Sequence, residues 1–152
     1  MDSIVRALVD RSWAVCLNEL MKRFSGSGGK KDRVGLSYVT VSLNAPGHRK
    51  KYEAKFLVDT GATDSLAPGA ELRKVGILPV GSTAYELADG SLQHYEFGLA
   101  EISFMGEVTA DRVIFGPDDV EPLLGVTALE SVGIVVDPAN RTLKRLPAIP
   151  LK

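Results

Sequence analysis

The segment Phe56-Leu57-Val58-Asp59-Thr60-Gly61-Ala62-Thr63 carries the residue types best suited to chemistry in this 152-residue chain. An apolar run ends abruptly in a carboxylate, followed by a hydroxyl residue, a glycine and a small residue. Apolar strand residues would deliver the acid to the floor of a cleft, where a carboxylate can take or give a proton. Thr60 offers a hydroxyl that can tie the turn down, and Gly61 lets a backbone approach without meeting a Cβ. Asp, Thr and Gly are also ordinary turn residues, so a plain strand-ending turn stands beside the catalytic interpretation.

Other chemistries have less to work with. Cys16 is the only cysteine, which rules out an internal disulfide or a cysteine-based zinc site. It reads as a small apolar residue on a helix. His48 and His94 lie far apart with no ligand spacing near them and read as solvated loop or strand residues. No metal or cofactor is expected. The net charge of −1 gives no bulk signal for nucleic acid or a membrane surface. No transmembrane run exists, and Asp2, Arg6, Asp10 and Arg11 interrupt any apolar core of a secretory signal. The expected location is cytoplasmic.

The elements that must hold Asp59 follow from pattern and punctuation. Ile4 to Phe24 lacks Gly and Pro and has a loosely helical stripe. Ser25-Gly26-Ser27-Gly28-Gly29-Lys30-Lys31 reads as a linker, since no strand precedes it and no Gly-Lys-Ser/Thr closes it as a phosphate loop. Charge changes sign across this boundary. Residues 1–34 carry seven Lys/Arg against four Asp/Glu, net +3, and the remaining 118 carry eleven against fifteen, net −4. The expected organisation is a helical appendage and linker over 1–33 and a β domain over 34–152.

Within that domain, Leu36–Leu43 and Tyr52–Val58 are expected strands around the turn Asn44-Ala45-Pro46-Gly47. Pro68–Val75 has room for one or two helical turns before Gly76. Thr83–Phe97 is expected to be a hairpin, with Asp89-Gly90 as a two-residue turn signal. Leu99–Phe104 and Val108–Phe115 pair around Met105-Gly106, with alternation that suits a sheet buried on one face. After Leu123-Leu124-Gly125 comes a short helix, Thr127–Val132, stopped by Gly133. Ile134-Val135-Val136, the turn Asp137–Asn140 and Thr142–Leu146 finish the chain. The fold class expected is all-β, a small closed barrel or sandwich with one short C-terminal helix and the N-terminal helical appendage.

From roughly Leu36 to Leu146 the chain resembles the retropepsin-like aspartic proteases, and its tail Leu129–Pro138 looks most like bacterial members of that clan. Asp59-Thr60-Gly61-Ala62 is similar to the family's catalytic loop. The hairpin tip Ala88-Asp89-Gly90-Ser91 resembles its substrate-covering flap, and Leu123-Leu124-Gly125 its second apolar-apolar-Gly element. The resemblance implies a barrel of the acid-protease type, an aspartic endopeptidase activity and a peptide or unfolded-protein substrate. It also implies a homodimer, because peptide hydrolysis by this route needs two carboxylates and the chain has one Asp-Thr-Gly. Asp137, followed by Pro138, reads as a turn residue. Catalysis therefore falls to Asp59 of two copies, with Thr60, Gly61 and Ala62 supporting the loop.

Two positions depart from the viral pattern. Thr63 stands where viral members carry a second Asp, and Val126 where they carry an Arg. Losing both ends of one ion-pair network leaves no orphan charge, so the barrel is still expected. Asp64 reads first as a solvated loop acid, with taking over some of that network's work as the alternative. The alternative function is a non-catalytic dimeric module that binds peptides or partners in the same cleft, which would have no use for a buried acid pair.

Overall fold

The computed structural model describes residues 37–86, 89–137, 139–140 and 142–151. The expected helix at 4–24, the linker at 25–31, Cys16 and Ala88 lie outside the described residues.

Strand β1 (Tyr38–Asn44) turns through Gly47 and returns as β2 (Lys51–Asp59), antiparallel with Val41 opposite Ala54. Its inward positions, Val41 and Leu43, are fully buried, while Tyr38 and Thr40 face out. Next comes β3 (Ser65–Pro68), then helix α1 (Gly69–Lys74). Strand β4 (Gly81–Glu86) forms a hairpin with the first half of β5 (Leu92–Phe104), and β6 (Glu107–Gly116) pairs with its second half. Strand β7 (Leu123–Gly125) leads directly into α2 (Val126–Ser131). The pair β8 (Ile134–Asp137) and β9 (Thr142–Arg145) closes the chain.

The strand order is β1-β2-β7-β3-β6-β5-β4, with an added β1–β5 pairing that joins Ser42–Asn44 to Glu101–Ser103. Six strands thus close a barrel, and β4 hangs from β5 as the outer strand. The barrel is filled by one apolar cluster containing Leu43, Phe56, Ile102, Leu124 and Leu129. A second, smaller cluster of Leu57, Ala62, Leu66, Tyr85, Ile114, Val120 and Leu123 lies between the end of β2 and the β4–β5 hairpin.

Three features differ from the sequence expectation. Ser65–Pro68 is a strand, buried at every position and paired parallel to β6, with a single antiparallel pair to β7. Four residues are too few for alternation to show, and Ser and Pro disguise the segment further. The helical turns expected over Pro68–Val75 are present as α1. It starts after Pro68 at φ −57° and is capped by the loop acid Asp118, whose Oδ1 accepts the Ala70 N–H at 3.1 Å.

The expected segments Thr83–Phe97 and Leu99–Phe104 share one continuous strand, because β5 runs through Gly98 without a break. Finally, Glu86 pairs with Leu92, so the hairpin loop has five residues rather than two. Asp89 closes on Ser91, accepting its N–H at 2.9 Å and its hydroxyl at 2.5 Å, and among the described loop residues Gly90 alone takes positive φ, +82°. The true two-residue turn is Met105-Gly106, with both φ values positive, at +52° and +78°.

Candidate active site

Asp59 is the last residue of β2, and the apolar residues before it explain why it is held where it is. Phe56 is fully buried and Leu57 is 4% exposed, as are their neighbours Leu123 and Leu124 to within 1%. Each such side chain is worth about 1.5–3 kcal/mol on burial. Together they outweigh the cost of partly desolvating one carboxylate. The β2 end is also fixed on its flanks. Leu57 N–H donates to Pro122 O at 2.9 Å, and Val58 N–H to Ser37 O at 2.8 Å.

The turn after Asp59 is closed by the acid itself. Asp59 Oδ1 accepts the Gly61 N–H at 2.8 Å, and its backbone oxygen accepts the Ala62 N–H at 3.2 Å. Thr60, expected to tie the turn, is exposed. Burial pushes the Asp59 carboxyl above its ordinary range, and the Gly61 and Ala62 N–H groups partly offset that. An acid in this state binds its proton more readily than one in water.

The second apolar-Gly element sits directly beside this loop. Leu57, Val58 and Asp59 pair in parallel with Leu123, Leu124 and Gly125. A Cβ on Gly125 would stand 2.5 Å from Thr63 O, 2.7 Å from Asp64 C and 2.8 Å from Asp64 O, so this position admits no side chain. Gly125 N–H is satisfied by Ser65 Oγ at 3.0 Å, and Ser65 is fully buried. Where viral relatives carry the ion-pair network, backbone bonds do the fastening here. Val126 N–H donates to Ala62 O at 2.8 Å, and Thr127 N–H to Thr63 O at 3.3 Å.

The hairpin tip residues Asp89, Gly90 and Ser91 are all exposed, at the end of the β4–β5 hairpin. Sequence reasoning missed the residue that ties this hairpin to the loop. Tyr85 donates its hydroxyl to Asp64 Oδ2 at 3.2 Å. Asp64 is accordingly not a solvated loop acid. Burial raises its pKa, Arg112 and the Tyr85 hydroxyl lower it, and Asp111 raises it. Asp111 is also raised by burial, and its Oδ2 has no hydrogen-bond partner. The only available signal was the buried position of Tyr85 in the β4 alternation, which cannot name a partner twenty-one residues away.

Among the described residues, no group of three or more His, Cys, Asp or Glu side chains could hold a metal ion. No helix among them is long and apolar enough to cross a membrane.

A six-stranded barrel with an outer hairpin, two short helices and an Asp-Thr-Gly loop beside an apolar-apolar-Gly strand is the retropepsin-like fold. The sequence profile of the family described as "gag-polyprotein putative aspartyl protease" matches residues 45–131. That is more than half of the chain, and the chain belongs to this family. The retroviral protease-like domain of Ddi1 from Leishmania major is similar in structure, at 17% identity and a TM-score of 0.50, covering 76% of this chain and 92% of that one. The EIAV protease, solved with the inhibitor HBY-793, aligns at 17% identity and a TM-score of 0.49, over 69% and 95%. The simian foamy virus (mac) protease aligns at 17% and 0.46, over 61% and 91%. No curated protein sequence matches the chain.

Proposed function

We propose that this protein is an aspartic endopeptidase whose catalytic pair is Asp59 from each of two identical subunits. The observation that carries the proposal is Asp59 itself. It is a half-buried carboxylate at a strand end, held by the Gly61 N–H, in the one Asp-Thr-Gly of the chain. A single carboxylate cannot act as base and acid in the same step, so the second comes from a two-fold related copy.

Two carboxylates about 3 Å apart cannot both ionise, and one proton stays between them. The ionised member takes a proton from water as the water oxygen attacks the scissile carbonyl carbon. The protonated member hydrogen-bonds the carbonyl oxygen and stabilises the charge that develops there. Collapse of the tetrahedral intermediate breaks the C–N bond, and a proton passes to the departing nitrogen. Gly61 leaves room for substrate backbone, Ala62 supports the loop from within the apolar cluster, and the hairpin tip Asp89–Ser91 covers the cleft and excludes bulk water. The substrate is a peptide or unfolded protein. The proposal also takes residues 1–33 as an appendage, so a chain starting at Val34 should show β-rich circular dichroism and unfold cooperatively.

The test mixes Asp59→Asn with wild type. Pure variant should fold, dimerise and be inactive. In a one-to-one mixture with equal affinities, a quarter of the dimers have two Asp59, so activity should fall to roughly a quarter of that of the same total protein as wild type, as binomial pairing of a two-fold dimer requires. Activity at half, or full activity in a monomer confirmed by sedimentation, would overturn the shared pair.

A further inference from the structure

Tyr85 has an unusual place on β4. Along Gly81–Glu86 it alone is buried, with Ala84 and Glu86 exposed on either side. Its ring belongs to the small cluster that includes Ala62 of the Asp59 loop and Leu66 of β3. Across the hairpin it meets the Tyr95 ring at 5.9 Å between centroids. Strand β4 is the last in the sheet and pairs through its backbone with β5. The side chain of Tyr85 therefore reaches the barrel by a route that bypasses the ladder, and its hydroxyl ends on Asp64 Oδ2 at 3.2 Å. Asp64 lies five residues beyond Asp59, directly after Thr63, whose carbonyl is fastened to α2.

From this geometry we propose that Tyr85 and Asp64 form a positioning pair that anchors the tip end of the β4–β5 ladder to the loop carrying Asp59. Charges on β6 act on the acceptor, since Arg112 favours the ionised Asp64 carboxyl and Asp111 disfavours it. Arg112 is itself located by the Phe97 ring, 4.1 Å from its guanidinium carbon. Hairpin, catalytic loop and β6 thus converge on one side-chain bond. The inference rests on the proteolytic proposal in treating this hairpin as a flap, but the anchor can be measured without turnover.

The test is a double-mutant cycle on the full chain, read by amide hydrogen exchange. Tyr85→Phe keeps the ring and removes the donor, and exchange in 81–86, 92–97 and 59–66 should speed up roughly tenfold, the scale of one hydrogen bond to a charged group. Asp64→Ala should do the same, and the double variant should add nothing further. Asp64→Asn retains an acceptor and should keep near-wild-type protection. If Asp64→Ala does not fold, the contrast between Tyr85→Phe and Asp64→Asn decides alone. Unchanged exchange in Tyr85→Phe, additive effects, or acceleration spread evenly into β1 and β2 would overturn the anchor. In an active enzyme, that result leaves the protease proposal standing. Absence of turnover in wild type with the expected exchange pattern would do the reverse.

Discussion

Two strand ends lie side by side in this molecule with the same apolar approach and opposite endings. Strand β2 closes on Leu57-Val58-Asp59 and β7 on Leu123-Leu124-Gly125, paired residue for residue. At the last position one carries a carboxylate and the other must carry nothing, since a Cβ there would collide with Thr63 and Asp64 backbone. The acid's environment is therefore set as much by its empty neighbour as by its own loop. Because Gly125 yields space, residues 60–64 fold back over β7 and hold Asp59 half out of water.

The largest effect expected from breaking this contrast is at the acid. Asp59→Asn should lower turnover by about 10²–10⁴-fold or more, as loss of a general acid–base group does. Its effect on stability has the opposite sign. Burial raises the Asp59 pKa in the folded state. Its contribution to stability is therefore complete below the unfolded value and is lost as pH rises through the folded one. Asn cannot ionise, so above that range the variant should melt at or above wild type, and the two should converge in acid. Thermal melts across pH check this. A variant that melts lower at neutral pH would mean that the ionised form is favoured by the fold.

On the other strand end, Gly125→Ala should cost about 3 kcal/mol, the upper range for overpacking, because the colliding atoms are backbone and cannot swing away. Urea denaturation reads this directly. A loss below about 1 kcal/mol would show that the 60–64 loop can move off β7. Ser65→Ala should cost about 1–3 kcal/mol by leaving the buried Gly125 N–H without an acceptor. Ser65→Thr keeps the hydroxyl and separates that loss from simple cavity formation.

The smallest expected effect is at the flap tip, where a glycine is required for a different reason. Gly90 has φ +82° and no atom of another described residue within 4 Å of where a Cβ would stand, so the expected cost of Gly90→Val is backbone strain, roughly 1–2 kcal/mol. Turnover should fall more than thermal stability. Equal losses would mark the hairpin as purely structural.

The sequence by itself determined the elements whose cause is local. The apolar run into Asp59, the turn at Gly47, the Met105-Gly106 hairpin and the stop at Gly133 are all written in neighbouring residues, with φ of +79° at Gly47 and +70° at Gly133. The all-β class followed from the succession of strands, the barrel from the family resemblance, and the Asp-Thr-Gly loop was placed correctly at a strand end. What only the tertiary structure decided was everything that depends on residues distant in the chain. Strand β3 exists because β6 and β7 flank it, not because Ser-Leu-Ala-Pro favours extension. Asp64 became a half-buried acceptor because folding brought Tyr85 and Arg112 to it. The family resemblance placed Gly125 in the second apolar-apolar-Gly element, but the press of Thr63 and Asp64 backbone that forbids a side chain there belongs to the fold. Local propensity sets what a segment can become, whereas burial and close approach belong to pairs of segments and are fixed only when the barrel closes.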